Sequence, residues 1–294
     1  MNEKPRFTLI IPVYNEERGL EDTLVALKPF FNKKLFEVIM IDDGSTDKTS
    51  SILSSLENVR LITHDKNRGY GAALKTGIKK SHGEIICIAD ADGTYPIDKI
   101  FDFVNILVEK NLDMIVGARI GDNVKIPIIR KPAKWFIGKL ANYVTGKKIP
   151  DINSGLRVFK KTSFLPFEKI IPNGFSFTTT ITLGMLSNGY KVKFVPINYF
   201  FRHGKSKIKP IRDTLNFTKL ILKIGLYFAP LKVFMPASLL LFFVSILWVI
   251  FSKYYFGKIA DISALIIIMT SFHLAALAIL AELINHRLPN KYIK

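Results

Sequence analysis

The chain has 294 residues, a length that suggests about two domains at ~150 residues each. It carries 42 Lys and Arg against 24 Asp and Glu, a formal net charge of +18, and 49% of its residues are hydrophobic. This apolar content argues against a disordered chain, and the single cysteine, Cys87, excludes an intrachain disulfide and a cysteine-rich zinc module.

The first 120 residues alternate short apolar runs, rich in β-branched residues, with segments compatible with helices. The runs predict strands, and the alternation predicts βαβ units with a mostly parallel sheet that is buried on both faces. Cys87 lies inside one predicted strand, where we expect inert core packing. The predicted strands are 7–13, 36–41, 59–63, 84–89 and 113–116, and the predicted helices lie near 17–28, 46–56, 70–81 and 97–109.

Polar residues follow three of these strands, at the carboxyl ends where such sheets bind ligands. They are Tyr14-Asn15-Glu16, Asp42-Asp43-Gly44-Ser45 and Asp90-Ala91-Asp92-Gly93. Asp90 and Asp92 repel each other unless a cation or a donor offsets their charge, and their oxygens suit Mg²⁺ or Mn²⁺. Asp42 and Asp43 could cap a helix or accept hydrogen bonds from a base and a ribose. No P-loop and no dinucleotide-binding glycine pattern accompanies them.

The basic excess is concentrated in the middle of the chain. Residues 121–232 hold 21 basic and four acidic residues, whereas residues 1–120 hold 16 and 18. Such a block could meet nucleic acid, anionic lipid or a phosphorylated substrate, or it could be a solvated surface. Segments 128–145 and 210–227 combine basic and apolar residues, which predicts amphipathic helices in a membrane interface. Ordinary surface helices are the alternative.

Two runs of 20 residues, 233–252 and 262–281, lack Asp, Glu, Lys and Arg. Each is long enough to cross a bilayer, so together they predict a transmembrane hairpin, with a pair of buried helices in a soluble core as the alternative. Basic residues are more frequent on the flanks than in the connecting loop, which predicts an integral membrane protein whose N-terminal domain faces the cytoplasm. The chain is predicted to divide into an N-terminal α/β domain at 1–208, an amphipathic interfacial helix at 209–230 and a C-terminal transmembrane hairpin at 231–294. A nucleic-acid partner would not explain the hairpin, and we expect none.

Five motifs, in order and with matching spacing, resemble those of family 2 glycosyltransferases. Two later segments, 151–159 and 201–207, are similar to the dolichyl-phosphate mannose synthase branch. The resemblance covers residues 7–207 and implies a Rossmann-like GT-A domain. The five motifs are Pro12-Val13-Tyr14-Asn15-Glu16, Asp42-Asp43-Gly44-Ser45-Thr46-Asp47, Asn67-Arg68-Gly69, Asp90-Ala91-Asp92-Gly93 and Gly117-Ala118-Arg119.

The resemblance implies roles for particular residues. Catalysis would involve Asp92, Arg119 and Asp151, with Asp151 either a base or an orienting group. Asp90 and Asp92 would hold Mg²⁺ or Mn²⁺. Many relatives have Leu-Gln after the second aspartate, where this chain has Gly93-Thr94, so Thr94 or water could substitute for a carboxamide. The implied nucleotide-sugar ligands are Pro12, Tyr14, Glu16, Asp42, Asp43, Arg68, Lys75, Asp90 and Ala91, and the implied acceptor-phosphate ligands are Arg119, Arg130, Lys134, Ser154, Arg202 and Lys205.

The implied reaction is transfer of a sugar, with inversion, from GDP-mannose or UDP-glucose to a polyprenyl or dolichyl phosphate in a lipid bilayer. A UDP-N-acetylhexosamine donor is a further alternative. A phosphate monoester is already largely deprotonated near neutral pH, so the acceptor needs no strong base. The competing interpretations are a processive polysaccharide synthase and a catalytically silent, nucleotide-binding membrane scaffold. The sequence is compatible with a homo-oligomer.

Overall fold

The computed structural model describes residues 6–31, 33–120, 131–200, 210–258 and 261–287, without the side chains of 131–134, 210–214, 261, 286 and 287. A 3₁₀ turn covers Leu165–Phe167. The other elements are β1 Phe7–Val13, α1 Leu20–Phe31, β2 Phe36–Asp42, α2 Thr49–Ser54, β3 Arg60–Thr63, α3 Tyr70–Lys80, β4 Ile85–Ile88, α4 Lys99–Glu109, β5 Met114–Ala118, α5 Lys131–Thr145, β6 Arg157–Lys160, α6 Lys161–Phe164, α7 Phe177–Ser187, β7 Val192–Pro196, α8 Pro210–Phe228, α9 Pro230–Phe256 and α10 Asp261–Arg287.

Seven strands form one sheet in the order β3-β2-β1-β4-β6-β5-β7. All neighbours are parallel except β6, which runs antiparallel to both β4 and β5, so the predicted mostly parallel α/β sheet is confirmed. The register pairs Val13 with Asp42 and Asp42 with Thr63. The ends of β1, β2 and β3 therefore meet at one edge, and the loops that follow them are neighbours.

Both faces of the sheet are buried, as expected for strands joined by helical crossovers. Leu9 and Ile11 of β1 belong to one apolar cluster, with α1 and α4, while Ile10 between them belongs to a second, with α3 and α7. Cys87 is fully buried in the first cluster, and burial raises the pKa of its thiol. The predicted inert packing of this cysteine agrees with that environment.

Two predicted helices begin later than the sequence suggested, α1 at Leu20 and α2 at Thr49. The residues before each helix form hydrogen bonds between the two loops instead of entering a helix. The Thr46 backbone N–H donates to Asn15 Oδ1 at 2.8 Å, and the Glu16 N–H donates to Thr49 Oγ1 at 3.0 Å. Side-chain bonds of this kind compete with the first turn of a helix.

The predicted amphipathic segments form α5 and α8, and both pack against the catalytic domain. A third apolar cluster joins Ile137 and Val144 of α5 to Leu183 of α7 and to Ile221 and Ile224 of α8. The two helices still expose large apolar side chains on their outer surfaces. These include Trp135, Phe136, Tyr143, Leu215, Leu222, Leu226 and Tyr227.

Helices α9 and α10 pack against each other and are long and apolar enough to cross a membrane, with mean hydropathies of 2.5 and 2.3 over their most apolar windows. Only 11% and 17% of those windows are buried inside the protein, unlike the core helices of a soluble domain. The Ser238 and Ser271 hydroxyls each donate to the other residue's carbonyl, at 2.8 and 3.0 Å. Small hydroxyl residues allow this close approach of two apolar helices.

Three hydrogen bonds attach the start of α9 to its surroundings. The Tyr143 hydroxyl of α5 donates to the Lys232 carbonyl at 2.9 Å, and the Lys232 ammonium donates to the Val144 carbonyl at 3.0 Å. The Leu231 N–H, in the first turn of α9, donates to Glu282 Oε2 at 3.2 Å. The apolar hairpin is therefore joined directly to the end of α5, where a cation also interacts favourably with the helix dipole.

Candidate active site

The loops after β1 and β2 form one interlocked unit at the sheet edge. Asn15 adopts a positive φ of 51°, and its N–H donates to Ser45 Oγ at 3.1 Å. Asp42 is fully buried and accepts hydrogen bonds from the Ser45 N–H at 2.9 Å and from the Ser50 hydroxyl. Of the predicted nucleoside ligands, Pro12 lies in β1 and Tyr14 and Glu16 lie in the turn that follows. The structure thus brings these three together with Asp42.

Asp43 uses both carboxylate oxygens inside the protein. Oδ1 accepts from the Arg68 N–H at 2.9 Å, and Oδ2 accepts from the Gly69 N–H at 2.8 Å. The buried His64 imidazole bridges Asp43 Oδ1, at 2.6 Å from Nδ1, and Thr76 Oγ1, at 3.0 Å from Nε2. Asp43 therefore holds the loop that carries the exposed Arg68 side chain, and its own contact with a nucleotide stays a prediction. Sequence reasoning missed His64, because no motif connects it to Asp43.

Lys75 lies in α3, and its ammonium donates to the Ile171 carbonyl at 2.9 Å. Burial lowers the pKa of Lys75 below its ordinary value. The same segment of chain passes close to the start of α3, because a Cβ on Gly71 would lie 2.3 Å from the Pro172 carbonyl oxygen. The structure therefore uses Lys75 to hold segment 171–175 over α3, and the predicted diphosphate contact stays a prediction.

Asp90 and Asp92 follow β4, with the buried Ala91 between them. The Tyr70 hydroxyl donates to Asp90 Oδ1 at 2.8 Å. Burial of that hydroxyl, and after it the charge of Asp90, raises the pKa of Tyr70, so the phenol remains a donor. The fully buried Thr94 donates to Asp92 Oδ1 through its hydroxyl at 2.5 Å and its N–H at 3.2 Å. Each carboxylate is thus oriented by a neutral hydroxyl group.

The two carboxylates fit a divalent cation. Mg²⁺ and similar hard ions commonly use one or two protein carboxylates and complete their coordination with phosphate oxygens and water. Within the described part of the chain no group of three or more His, Cys, Asp or Glu side chains could hold a metal. Asp90 also lies so close to the backbone that a Cβ on Gly155 would be 2.3 Å from its Oδ2, so a larger residue there would displace the carboxylate. Asp90 and Asp92 could therefore supply two oxygen ligands, with the others coming from a substrate.

Arg119 follows β5 and forms a bidentate ion pair with Asp151. Nε lies 2.7 Å from Oδ2 and Nη2 lies 3.0 Å from Oδ1, while the Arg119 N–H donates to Oδ2 at 3.0 Å. The side chain of Asp151 is 3% exposed and that of Arg119 is 25% exposed. Burial works to raise the pKa of Asp151, but Arg119 outweighs it and holds the pKa below its ordinary value. Asp151 is therefore an anion that orients a partly accessible guanidinium.

Arg157, at the start of β6, is fully buried and was not identified from the sequence as a functional residue. Its Nε donates to the Ser154 carbonyl at 2.8 Å, Nη2 to the Ile152 carbonyl at 3.1 Å, and Nη1 to Thr182 Oγ1 at 2.6 Å. Within the ranges that the structure describes, no carboxylate oxygen lies within 4.0 Å of this guanidinium. Burial lowers the pKa of Arg157 to about 10, so the group remains a cation at neutral pH.

The predicted acceptor side of the site is described only in part. Ser154 is fully buried, and its hydroxyl has no hydrogen-bond partner among the described residues. Arg130, Arg202 and Lys205 lie outside the described residues, and only the backbone of Lys134 is described. Arg119 and Ser154 are therefore the two predicted acceptor ligands whose side-chain positions the structure describes; Arg119 pairs with Asp151, and Ser154 lies three residues after Asp151 in the chain.

The geometry agrees with two family matches. Residues 8–165 match the family described as Glycosyl transferase family 2, and residues 229–286 match the one described as GtrB C-terminal hairpin. Among curated proteins, the chain is 26% identical over 219 residues to the "Dolichyl-phosphate hexose transferase" of Haloferax volcanii, covering 74% of this chain and 93% of that protein. It is 24% identical over 215 residues to the "Low-salt glycan biosynthesis hexosyltransferase Agl6" of the same organism. That match covers 71% of this chain but spans only about half, 51%, of the relative.

Among solved structures, the chain is similar to glucosyl-3-phosphoglycerate synthase from Mycobacterium tuberculosis. That protein was crystallised with Mn²⁺, UDP-glucose and phosphoglyceric acid. The TM-score is 0.57 with 16% sequence identity, and the likeness covers 76% of this chain and 80% of the other. At this identity the likeness shows the fold, and it confirms the GT-A-like α/β domain expected from the sequence.

Proposed function

Because the chain belongs to glycosyl transferase family 2, we propose that it transfers a hexose from GDP-mannose or UDP-glucose to a polyprenyl or dolichyl phosphate. The observation that carries this proposal is the placement of Asp90, Asp92 and Arg119 directly after strands β4 and β5, with Asp151 paired to Arg119, in a domain that is hydrogen-bonded to an apolar hairpin. The relative matched over 93% of its length is named for dolichyl phosphate and a hexose, which supports this acceptor. The product would be a sugar linked to a lipid phosphate, with inversion at the anomeric carbon.

On the donor side, Pro12, Tyr14, Glu16 and Asp42 would hold the nucleoside in the interlocked loops, and Arg68 would approach the diphosphate. Asp90 and Asp92 would hold Mg²⁺ or Mn²⁺, in line with the structural neighbour that was crystallised with Mn²⁺ and UDP-glucose. Such an ion, when bound, stabilises negative charge on a leaving diphosphate. The protein's contribution is to fix both carboxylates beforehand, through the hydroxyls of Tyr70 and Thr94.

On the acceptor side, we assign Asp151 the orienting role instead of that of a base. Its two oxygens are both bonded to Arg119, and a carboxylate with a lowered pKa is a weak proton acceptor. The acceptor phosphate is its own nucleophile, because its second pKa is near 6. Arg119 would align that phosphate for attack on the anomeric carbon, as a preorganised guanidinium can. Arg130, Lys134, Arg202 and Lys205 stay predicted partners of the same phosphate.

We further propose that α9 and α10 span a bilayer and that α5 and α8 lie at its surface. The exposed aromatic and aliphatic side chains of α5 and α8, beside the start of the hairpin, support this arrangement. The basic flanks of the hairpin support a cytoplasmic catalytic domain. A lipid phosphate would then reach Arg119 from the membrane surface, and residues 121–232, the segment that includes α5 and α8, carry 21 basic residues.

The experiment that tests the proposal is a transfer assay with the full chain in detergent. Undecaprenyl or dolichyl phosphate is incubated with Mg²⁺ or Mn²⁺ and labelled GDP-mannose, UDP-glucose or UDP-N-acetylhexosamines, and label entering the lipid phase is measured. We expect transfer from one hexose donor, its loss in Asp92→Asn and its retention in Asp102→Asn. Asp102 is a matched control because it is an exposed aspartate on α4. Nucleotide binding without transfer from any donor would contradict the proposal.

A further inference from the structure

Residues 151–155 connect the two halves of the candidate site. Asp151 at the beginning of this loop pairs with Arg119 on the acceptor side, and Gly155 at its end lies against Asp90 on the donor side. The loop is neither helix nor strand, because α5 ends at Thr145 and β6 begins only at Arg157. The distance between the two halves must therefore be fixed by side-chain contacts, since no regular backbone hydrogen bonding of a helix or a sheet covers the loop.

Three buried side chains, those of Arg157, Thr179 and Tyr95, form hydrogen bonds with this loop. Arg157 donates to the carbonyls of Ile152 and Ser154, at 3.1 and 2.8 Å. The Thr179 hydroxyl lies 2.5 Å from Asn153 Oδ1, and the Gly155 N–H donates to the Tyr95 hydroxyl at 2.8 Å. The loop backbone is thus held at three of its five residues, and most of the contacts come from Arg157 and α7.

The buried threonines of α7 differ in whether they form hydrogen bonds outside their own helix. Thr179 and Thr182, three residues apart and so on one side of the helix, bond to Asn153 and to Arg157. Thr180 is equally buried, and its hydroxyl donates to the Ser176 carbonyl at 2.9 Å just as the Thr182 hydroxyl donates to the Thr178 carbonyl at 2.7 Å. The two threonines differ in the bond that Thr182 accepts from Arg157. One side of α7 therefore serves the loop, and Thr180 provides an internal comparison of the same residue type, burial and helix.

A fully buried guanidinium without a carboxylate partner is costly, and a neutral residue of similar volume commonly packs in such a place at lower cost. A neutral residue lacks the planar guanidinium group, whose several N–H donors bind two carbonyls and a hydroxyl at the same time. The hydrogen-bonding geometry of Arg157 therefore explains why an arginine occupies this buried position.

We infer that Arg157, held in turn by Thr182, is a positioning residue that fixes loop 151–155, so that Asp151 presents Arg119 to the acceptor. The inference deepens the proposed function and rests on it. Arg157 touches neither substrate in this role. It acts through the Ile152 and Ser154 carbonyls, and the predicted signature of its loss is a slower transfer step with an unchanged donor affinity.

The test compares Thr182→Val with Thr180→Val in the full chain in detergent, since both replace a buried threonine of α7 by a residue of the same shape. Thr182→Val removes the acceptor of Arg157 Nη1, and we expect a tenfold to hundredfold lower kcat, roughly the effect of misplacing a reacting group. The KM for the nucleotide sugar should stay within about twofold. Thr180→Val should leave both parameters at the wild-type level. Equal kcat values in the two variants would overturn the inference.

Hydrogen exchange supplies a readout that does not depend on turnover. In Thr182→Val the Asn153 and Gly155 amides should exchange about tenfold faster than in Thr180→Val, because the loop opens more easily once Arg157 loses a partner. Arg157→Lys keeps the positive charge but loses the planar guanidinium group, so its Asn153 and Gly155 amides should exchange as fast as those of Thr182→Val. If the lysine variant does not fold, the two threonine variants still decide. Unchanged exchange at both amides would contradict the positioning role.

The two readouts also separate this inference from the proposed function. If the wild-type chain transfers no sugar, the proposed function fails, and the exchange comparison still tests whether Arg157 and Thr182 hold the loop. If the wild type transfers sugar and the variants match it, the positioning role fails and the proposed function stands.

Discussion

Arg119 and Arg157 both bind loop 151–155, and each satisfies its charge in a different way. Arg119 meets a carboxylate, with two bonds to Asp151 at 2.7 and 3.0 Å. Arg157 is more deeply buried, yet it meets two carbonyls, a hydroxyl and the Met114 sulfur, all of them neutral.

The difference predicts what remains after each arginine is removed. Without Arg119, the Asp151 carboxylate would be an unpaired charge in a buried position, which is among the most unfavourable states in a protein interior. Without Arg157, two carbonyls and a hydroxyl would lose a donor, but a buried charge would disappear with it. The more accessible arginine should therefore matter more for stability, and the more buried one should matter mainly for geometry.

The largest expected effect comes from Arg119→Met compared with Arg157→Met. We expect Arg119→Met to lower the free energy of unfolding by about 3–5 kcal/mol, because it leaves Asp151 unpaired. Arg157→Met should lower it by about 1–3 kcal/mol, the range for buried polar groups that lose a neutral hydrogen bond. Urea unfolding in detergent, followed by circular dichroism, measures both values. A larger loss for Arg157→Met would reverse the comparison.

Asp151→Asn removes the charge of the pair while keeping its shape. We expect transfer to slow about a hundredfold, because the amide no longer fixes the guanidinium through two charged bonds. If Asp151 only orients Arg119, the pH profile of the remaining activity should keep the wild-type shape, governed by the acceptor phosphate with its pKa near 6. Loss of the acidic limb of the profile in this variant would instead identify Asp151 as the base.

Thr94→Val removes the neutral hydroxyl that donates a hydrogen bond to Asp92 and orients its carboxylate. We expect about a tenfold loss of transfer, since a hydrogen bond to a charged group contributes roughly 1.5–3 kcal/mol. Thr94→Ser retains the hydroxyl and should restore most of the activity, which a purely steric role for the threonine methyl group would not allow. The measurement is the initial rate at saturating donor, with Mg²⁺ or Mn²⁺ titrated in parallel.

The sequence predicted the first five strands because each is a short, mainly apolar run rich in β-branched residues between polar turns. It did not predict β6 or β7. β6 is four residues long and begins with a charged arginine, and β7 alternates Val and Phe with Lys193 and ends in Pro196, so neither resembles a buried parallel strand. Antiparallel insertion of β6 between β4 and β5 depends on tertiary pairing that no local pattern records.

For the candidate site, the resemblance identified Asp90, Asp92, Arg119 and Asp151 from their motifs. It did not reveal the residues that support them, such as Thr182, which lies 25 residues from Arg157, or Tyr95, which lies 60 residues from Gly155. These contacts depend on how α7 and the loop after β4 pack around residues 151–155. Ordinary buried threonines and tyrosines carry no sequence signal for such a role.

The smallest expected effect is the acid dependence of the two arginine contacts. Arg119 holds the pKa of Asp151 below its ordinary value near 3.9, so the pair stabilises the fold above that value and loses this contribution as the pH falls through the lowered pKa. The stability difference between wild type and Asp151→Asn should be constant from pH 8 to about 5 and should shrink toward pH 3, as Asp151 becomes protonated in the unfolded chain first.

The matching difference for Arg157→Met should shrink much less over the same interval, because a guanidinium with a pKa of about 10 does not titrate there and the charge of Asp151 acts on it without a direct ion pair. Other acids also titrate, among them Glu37. Partial burial works to raise the pKa of Glu37, but hydrogen bonds from His82, Thr8 and Arg60 outweigh it and lower that pKa. They are present in every variant and cancel in the difference. An equal decline in both differences would mean that Arg157 depends on the charge of Asp151 as strongly as Arg119 does, and the distinction between the two arginines would then be lost.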